Sequence, residues 1–364
     1  MSEITTDAAR TGSHPASGGD TPQRLKPPKK KVALTSQLSK LSGPLLLLLL
    51  IAVFGVLTPD TFLTLANARS ILTSQAVVGI VALGLLFPLA AGAFDLSAAQ
   101  NLGFSAVVVG YLIVEAGLPV PLAIVVTLAV GAIVGAVNGT LVAVIGIDSF
   151  IATLGTTSLL LAGSQVVANG AYIGPIGDSF TKLSSGTILG VPITVLYVIV
   201  LAVVAWYVLE HSPLGRRIYA TGANRDAASL SGVATSRIVF GTFVVSGVFA
   251  SAAGILLAST LGAVSETMGP EYLLPAFAAV FLGTTLLKRG RFNVGGTLLA
   301  ILLLGTGVQG LQLLGGPVWV IALFNGLALI ASVGAGLTVQ RAQARRAVRR
   351  AAQTARRSGD VATT

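Results

Sequence analysis

The strongest constraint on this chain is a series of uninterrupted apolar stretches, each about as long as a bilayer is thick. A helix needs roughly 20 apolar residues to cross the hydrocarbon core. Such stretches lie at about 41–58, 71–91, 97–116, 120–145, 149–168, 190–210, 237–261, 272–287, 293–314 and 317–338. The first carries leucine at every position from 45 to 50, as a lipid-facing helix would. The stretches are continuous rather than alternating, which favours spanning helices over barrel strands. Only 10% of the residues are charged and the mean hydropathy is +0.87, where a soluble domain carries about 25% charged residues. The predicted class is an all-α polytopic membrane helix bundle of about ten transmembrane helices.

The cations orient that bundle. An even number of spans puts both termini on one side. Of the 23 lysines and arginines, all but Arg69 and Lys182 then fall on that side: the N-terminal tail, the 211–237 loop, the 288–291 turn and the C-terminal tail. Positive charge stays in the cytoplasm, so both termini are expected to be cytoplasmic. Residues 1–40 read as a disordered basic tail and not as a signal peptide, since about thirty polar residues precede the basic cluster and no small-residue cleavage pattern follows. Residues 41–338 form the transmembrane domain and 339–364 a second basic tail. The net charge of +10 is explained by this distribution, and no nucleic-acid partner is expected. The lipid bilayer is the expected surrounding.

Several chemistries are excluded. There is no cysteine, and His14 and His211 are the only histidines, so neither a metal site nor a histidine-based catalytic site is expected. No G-x-x-x-x-G-K-[S/T] loop occurs, so the chain does not hold nucleotide phosphates in that way, and no cofactor is expected. Small residues recur every fourth position at Gly131, Gly135 and Gly139, and again at Ser246, Ala250 and Gly254. Each set marks a helix face for close packing in lipid. Pro88, Pro275 and the Gly315–Gly316–Pro317 run are expected to bend or break helices.

One polar island, Ser212 to Ile238, stands between long apolar spans on the cytoplasmic side. Within it Asn224 is a good N-cap, followed by Arg225. Asp226 suits the positive end of a helix, Ala227, Ala228 and Leu230 are strong helix formers, and Gly232 stops it. The product is a helix of two turns at about 225–231, marginal alone in water. With its small side chains it is suited to a groove of another protein.

The segment "DAASLSG" at 226–232 resembles the E-A-A-x-x-x-G signature of permease subunits of ATP-binding-cassette importers, with Asp in place of Glu. "AGAFDLS" (91–97) resembles the G-G-x-D-L-S motif of the ribose/galactose/xylose-type sugar permeases. "NGTLVAVIGIDSFIATLGTTSLLLAG" (138–163), "SPLGRRIYATGANRDAASLSGV" (212–233) and "GGTLLAILLLGTGVQGLQLLG" are similar to further blocks of that family, in the same order. The resemblance covers about 45–335. It implies a non-enzymatic permease of an ATP-driven sugar importer in a bacterial plasma membrane. The implied partners are a cytoplasmic ATPase subunit, an extracytoplasmic sugar-binding protein and a second permease protomer. Residues 224–232 would present the coupling helix to the ATPase.

Candidate residues for the translocation pathway are few, as a neutral substrate requires. Asp95 serves either gating or a helix end in the short 92–96 turn. Asn138 can meet sugar hydroxyls or another helix. Gln309 and Gln312, three apart on one helix, join Asn325 as pathway candidates, with Gln75, Gln100 and Asn101 of similar standing. Arg216 and Arg217 can anchor lipid headgroups or contact the ATPase. A self-sufficient secondary transporter is the competing reading. It needs an intramembrane carboxylate or histidine for ion coupling, and Asp95 is the one plausible candidate.

The topology can be checked in a cysteine-free background. An impermeant thiol reagent applied to intact cells should label Ser179→Cys and leave Ser229→Cys silent. The reverse pattern refutes cytoplasmic termini.

Overall fold

The computed structural model describes residues 33–334 and 338 except 289 and 318, and for 33–42 the backbone alone. The tails at 1–32 and 339–364 lie outside the described residues. The described chain is built of α-helices: α1 (Ala33–Leu57), α2 (Pro59–Phe62), α3 (Leu65–Ala90), α4 (Ala98–Val114), α5 (Val120–Thr140), α6 (Ser149–Ala168), α7 (Asp178–Ser185), α8 (Ile193–Trp206), α9 (Pro213–Ala223), α10 (Arg225–Leu230), α11 (Thr235–Leu261), α12 (Leu273–Leu286) and α13 (Val294–Leu313). An apolar helix at Trp319–Gly334 follows as α14. Helices α5 and α8 run on into π-helical turns, Leu141–Ile145 and Tyr207–His211. Among the described residues, six helices are long and apolar enough to cross a membrane, and shorter apolar helices accompany them. The protein is an all-α polytopic membrane protein.

Burial separates the centre of the bundle from its rim. Helices α3, α11 and α13 bury 67%, 61% and 61% of their most apolar stretch inside the protein, whereas α5, α6 and α8 bury only 22%, 28% and 28%. The first three form the centre, and the others turn most of their apolar surface outward. Helix α11 packs against α3, α4 and α5, and α12 pairs with α13. Core residues run without interruption from Ala76 to Ala90 of α3.

The two stripes of small residues explain how α11 sits so deep. A Cβ at Gly131 would collide with Ser251 and the Gly247 carbonyl, one at Gly135 with the Phe243 carbonyl, and one at Gly139 would lie 2.9 Å from Phe240. The predicted face of α5 is therefore a seam against α11. On α11, Gly254 meets the Leu102 carbonyl of α4, while Ser246 turns to a different partner described below. Lipid tails are as apolar as leucine, so helix association here draws on close packing and interhelical hydrogen bonds. Ser251 Oγ donates to Thr127 O at 2.7 Å and Asn101 Nδ2 to Gly247 O at 3.2 Å, tying α11 to α5 and α4.

Two features differ from the sequence expectations, and the 169–189 loop carries structure of its own. The second span starts at Leu65 rather than near 71, because Thr64 caps it by accepting from Asn67 N at 3.1 Å. The 169–189 loop is structured. It holds α7 and a two-stranded hairpin (Thr187–Ile188 with Val191–Pro192), and Phe180, Ile173 and Ile176 sink into a satellite core with Val107 and Val264. Pro275 does not break its helix, since it lies in the first turn of α12, where its missing N–H is not needed. Pro88 lies within the last turn of α3, and the Gly315–Gly316–Pro317 run separates α13 from α14.

Gly135→Leu should wedge α5 from α11 and cost about 1–3 kcal/mol or more, the usual range for overpacking. Gly241→Leu, on α11 but with open space around its Cβ, should unfold near the wild-type temperature. Thermal unfolding of the two variants in detergent checks the difference. Equal midpoints would mean that the seam does not hold the bundle.

Candidate functional site

The site begins where the chain breaks between two central helices. Helix α3 ends in a Schellman-like turn: Gly92 takes φ +82°, and Ala93 N donates back to Pro88 O at 2.9 Å. Residues 93–95 have no regular secondary structure, and α4 starts at Ala98. Non-helical backbone inside a membrane protein must find partners in the protein itself. Here they come from hydroxyls one turn apart on α6. Phe94 N donates to Ser149 Oγ and Leu96 N to Thr153 Oγ1, both at 3.1 Å, while Thr157 Oγ1 donates to Leu96 O at 3.3 Å.

Asp95 lies at the centre of this break. It occupies the predicted 92–96 turn, yet it is only 2% exposed and its carboxylate is directed into the bundle. Its Oδ1 accepts from Ser97 N (3.1 Å) and Ser97 Oγ (2.6 Å), and its Oδ2 from Ser246 Oγ of α11 (2.6 Å). Asn138 Nδ2 of α5 donates to Ser97 Oγ at 2.7 Å, and Thr156 Oγ1 of α6 donates to Asn138 Oδ1 at 2.6 Å. Two of the predicted residues, Asp95 and Asn138, thus meet in one buried network through Ser97. The network joins the α3–α4 break to α5, α6 and α11. Every donor to the carboxylate is neutral.

The polar island touches this break from below. It contains more helix than expected: α9 starts at Pro213 and is capped by Ser212, whose hydroxyl accepts from Gly215 N at 3.1 Å. The Ser-Pro pair is the sequence signal for that start. Asn224 caps α10 by accepting from Ala227 N at 2.9 Å, and Gly232 (φ +82°) ends it, with Val233 N donating to Ala228 O at 3.0 Å. Gly222 faces Gly92, whose notional Cβ would lie 3.3 Å from Gly222 Cα. A Cβ at Gly222 would collide with the Ala90 carbonyl. Around this contact lies a polar cavity of about 460 Å³, lined among others by Ala93, Asp148, Ser149, Asn224 and Arg225.

On α10 the exposed residues are Arg225, Asp226, Ala227, Ser229 and Leu230, and Leu230 is 91% exposed. Ala228 is 6% exposed and turned inward, so it does not belong to an outward docking face as the sequence reading had it. Helix α9 is fastened by Tyr219. Its hydroxyl donates to Phe292 O at 2.6 Å and its ring lies under the Arg291 guanidinium at 3.9 Å. Burial pushes the Tyr219 hydroxyl above its ordinary range, partly offset by Arg291, so the donor proton is kept. Lys288 pairs with Glu210 on the same side.

A second polar cavity, of about 350 Å³, lies between α3, α12, α13 and α14. Gln75, Glu271, Tyr272, Gln312 and Asn325 line it, with Asn325 only 7% exposed. Gln312 and Asn325 are brought together as expected. Gln309 is half-buried on α13 and does not line the cavity. Gln100 is 1% exposed and neither end of its amide has a hydrogen-bond partner; it packs beside Gly269. Among the described residues no three His, Asp or Glu side chains are grouped to hold a metal.

The chain matches the family model described as "Branched-chain amino acid transport system / permease component" over residues 67–333. It is 35% identical to the ribose import permease protein of Haemophilus influenzae over 263 residues, 71% of this chain and 81% of that one. It is 31% identical to the autoinducer 2 import system permease protein LsrD of Salmonella typhimurium over 306 residues, 82% and 91% of the two chains. The ribose import permease protein of Bacillus subtilis is 33% identical over 295 residues, 80% and 91%. No solved structure matches the chain.

The network should be organised around its carboxylate. Asp95→Leu strands the Ser97 and Ser246 donors, at about 1–3 kcal/mol for each buried group left unpaired. Asn138→Leu removes two interhelical bonds worth about 0.6 kcal/mol each, and both hydroxyls keep another partner. Unfolding in detergent should therefore rank Asp95→Leu well below Asn138→Leu. The opposite order would displace Asp95 from the centre.

Proposed function

The chain belongs to the family of branched-chain amino acid transport system permease components, and from that premise we propose that it is the transmembrane permease subunit of an ATP-driven importer of a sugar or sugar-like solute. Its relatives named for ribose and autoinducer 2 support the substrate class, and the scarcity of charge inside the bundle suits a neutral polyhydroxy compound. An extracytoplasmic binding protein delivers the solute, a separate cytoplasmic subunit hydrolyses ATP, and two permease protomers form the path. The chain resides in a bacterial plasma membrane with about ten spans and cytoplasmic termini.

The observation that carries the mechanism is the contact between Gly222 and the α3–α4 break. Helix α10 offers Leu230 outward to the ATPase. Its capping residue follows α9, whose C-terminal turn bears on Ala90 and Gly92 backbone without intervening side chains. A push on α10 therefore reaches the segment that holds Asp95. The same segment is fixed by hydroxyls on α6 and α11 and by the Asn138 amide of α5, which can exchange partners at little cost. The cavity lined by Gln75, Gln312 and Asn325 supplies amide donors and acceptors for hydroxyl groups, and the cavity beside Asn224 is the exit on the other side. Asp95 is enclosed by neutral donors instead of facing either cavity, which favours a gating role over ion coupling.

Leu230→Glu should abolish co-purification of the ATPase and lower ATP-driven uptake at least tenfold, with normal expression in the membrane. Ala228→Trp should instead lower the amount of folded protein, since that side chain packs inward. Asp95→Asn should keep the fold, through hydrogen bonds to both serines, yet slow uptake by roughly tenfold, the effect of about 1.4 kcal/mol on a barrier. Wild-type uptake in Leu230→Glu and Asp95→Asn would remove the coupling route from the proposal.

A further inference from the structure

One cleft in the bundle belongs neither to the coupling surface nor to the polar cavities. Helix α3 packs against both α8 and α11, which have little contact with each other. The slot between them is lined by side chains that offer almost nothing polar. Its one half, about 370 Å³, is bounded by Ile80, Val200, Leu201 and Ala252, and its other half, about 430 Å³, by Phe87, Val204, Val208, Val245, Val248 and Phe249. The halves lie end to end: Val200 and Val204, and Val248 and Ala252, are each one helical turn apart.

Charge enters at one end only. Among the described residues, Arg237, in the first turn of α11, is the sole charged one lining either half. Its side chain is exposed, and among the described residues no carboxylate pairs with it. Leu214 and Ile218 of α9 close the same end. We propose that this slot is a phospholipid site: one acyl chain lies along α3 between α8 and α11, and an anionic headgroup phosphate binds the Arg237 guanidinium.

The chemistry favours that occupant over a helix of a second copy. A helix with its side chains is about 10–12 Å across and packs on a face, whereas this slot is a gap between two helices standing on a third. Hydrocarbon gains nothing by leaving the bilayer for an apolar slot, so selectivity has to come from the headgroup. Guanidinium binds phosphate with paired, charge-assisted hydrogen bonds, and cations at the end of a spanning helix draw anionic lipid. The position has a consequence. The lipid would brace α9 against α11, and α9 leads directly into α10.

Native mass spectrometry of the full chain in mild detergent tests this, with phosphatidylglycerol and phosphatidylcholine of identical acyl chains supplied in equal amounts. The wild type should retain one phosphatidylglycerol per chain with at least a fivefold preference. Arg237→Gln should lose the preference, and Gly241→Leu, which fills the slot from an open position on its wall, should lose retention of both lipids; Val245→Trp fills it independently. No preference in the wild type, or a preference that survives Arg237→Gln, overturns the proposal. So does a filled variant that keeps its lipid but changes oligomeric mass, which would make the slot a contact between copies.

Discussion

A polar chain break inside an apolar bundle is tolerable only if every backbone group in it is hydrogen-bonded by the protein, and this requirement governs the arrangement of the central helices. An unpaired amide or carbonyl away from water costs several kcal/mol. In the segment between α3 and α4, Ser149, Thr153 and Thr157 of α6 supply hydroxyl partners to Phe94 N, Leu96 N and Leu96 O. Asp95 then converts the break into a junction. Its two oxygens accept from the loop and from α11, and Ser97 passes the connection to Asn138 and Thr156. Four structural elements meet in the network around one carboxylate, which is held directly by neutral donors from two of them, the loop and α11.

The glycine seam is what brings those donors within reach. Ser246 can meet Asp95 only because α11 lies against α5 at backbone distance, with Gly131, Gly135 and Gly139 under it. In lipid such closeness is favoured by packing rather than by the exclusion of water. The same logic appears at the membrane edge, where Gly92 and Gly222 let α9 rest on the α3–α4 turn. Small residues therefore connect the surface helix α10 to the buried network without a flexible side chain between them. That makes the linkage stiff, as a transporter driven from one face requires.

Much of this was legible in the sequence. The apolar lengths give the class, and the repeat of small residues at every fourth position gives the α5 seam, because both follow from helix geometry and the thickness of a bilayer. The cap at Asn224 and the stop at Gly232 are local as well, since each is satisfied by backbone within a few residues. Those parts of the site could be read because the chemistry that fixes them lies within one or two turns. Helix α9 carried a signal of the same kind, the Ser212–Pro213 pair.

Other features were decided by the tertiary structure alone. Sequence makes Asp95 a carboxylate next to a helix end, but its inward direction depends on Ser246, 151 residues away. That Asn138 and Asp95 share a network depends on which face of α5 meets the break, and α5 is apolar all round. Ala228 is a helix former on any reading; only the packing of α10 onto the chain turns it in and leaves Leu230 out. Gln312 lines a cavity while Gln309 does not, because α12 and α14 close over one part of the α13 surface. The physical reason is common to all four. Helix propensity, caps and hydropathy are settled by neighbours in the chain, whereas the direction of a polar group in an apolar medium is settled by wherever its hydrogen-bond partner happens to lie.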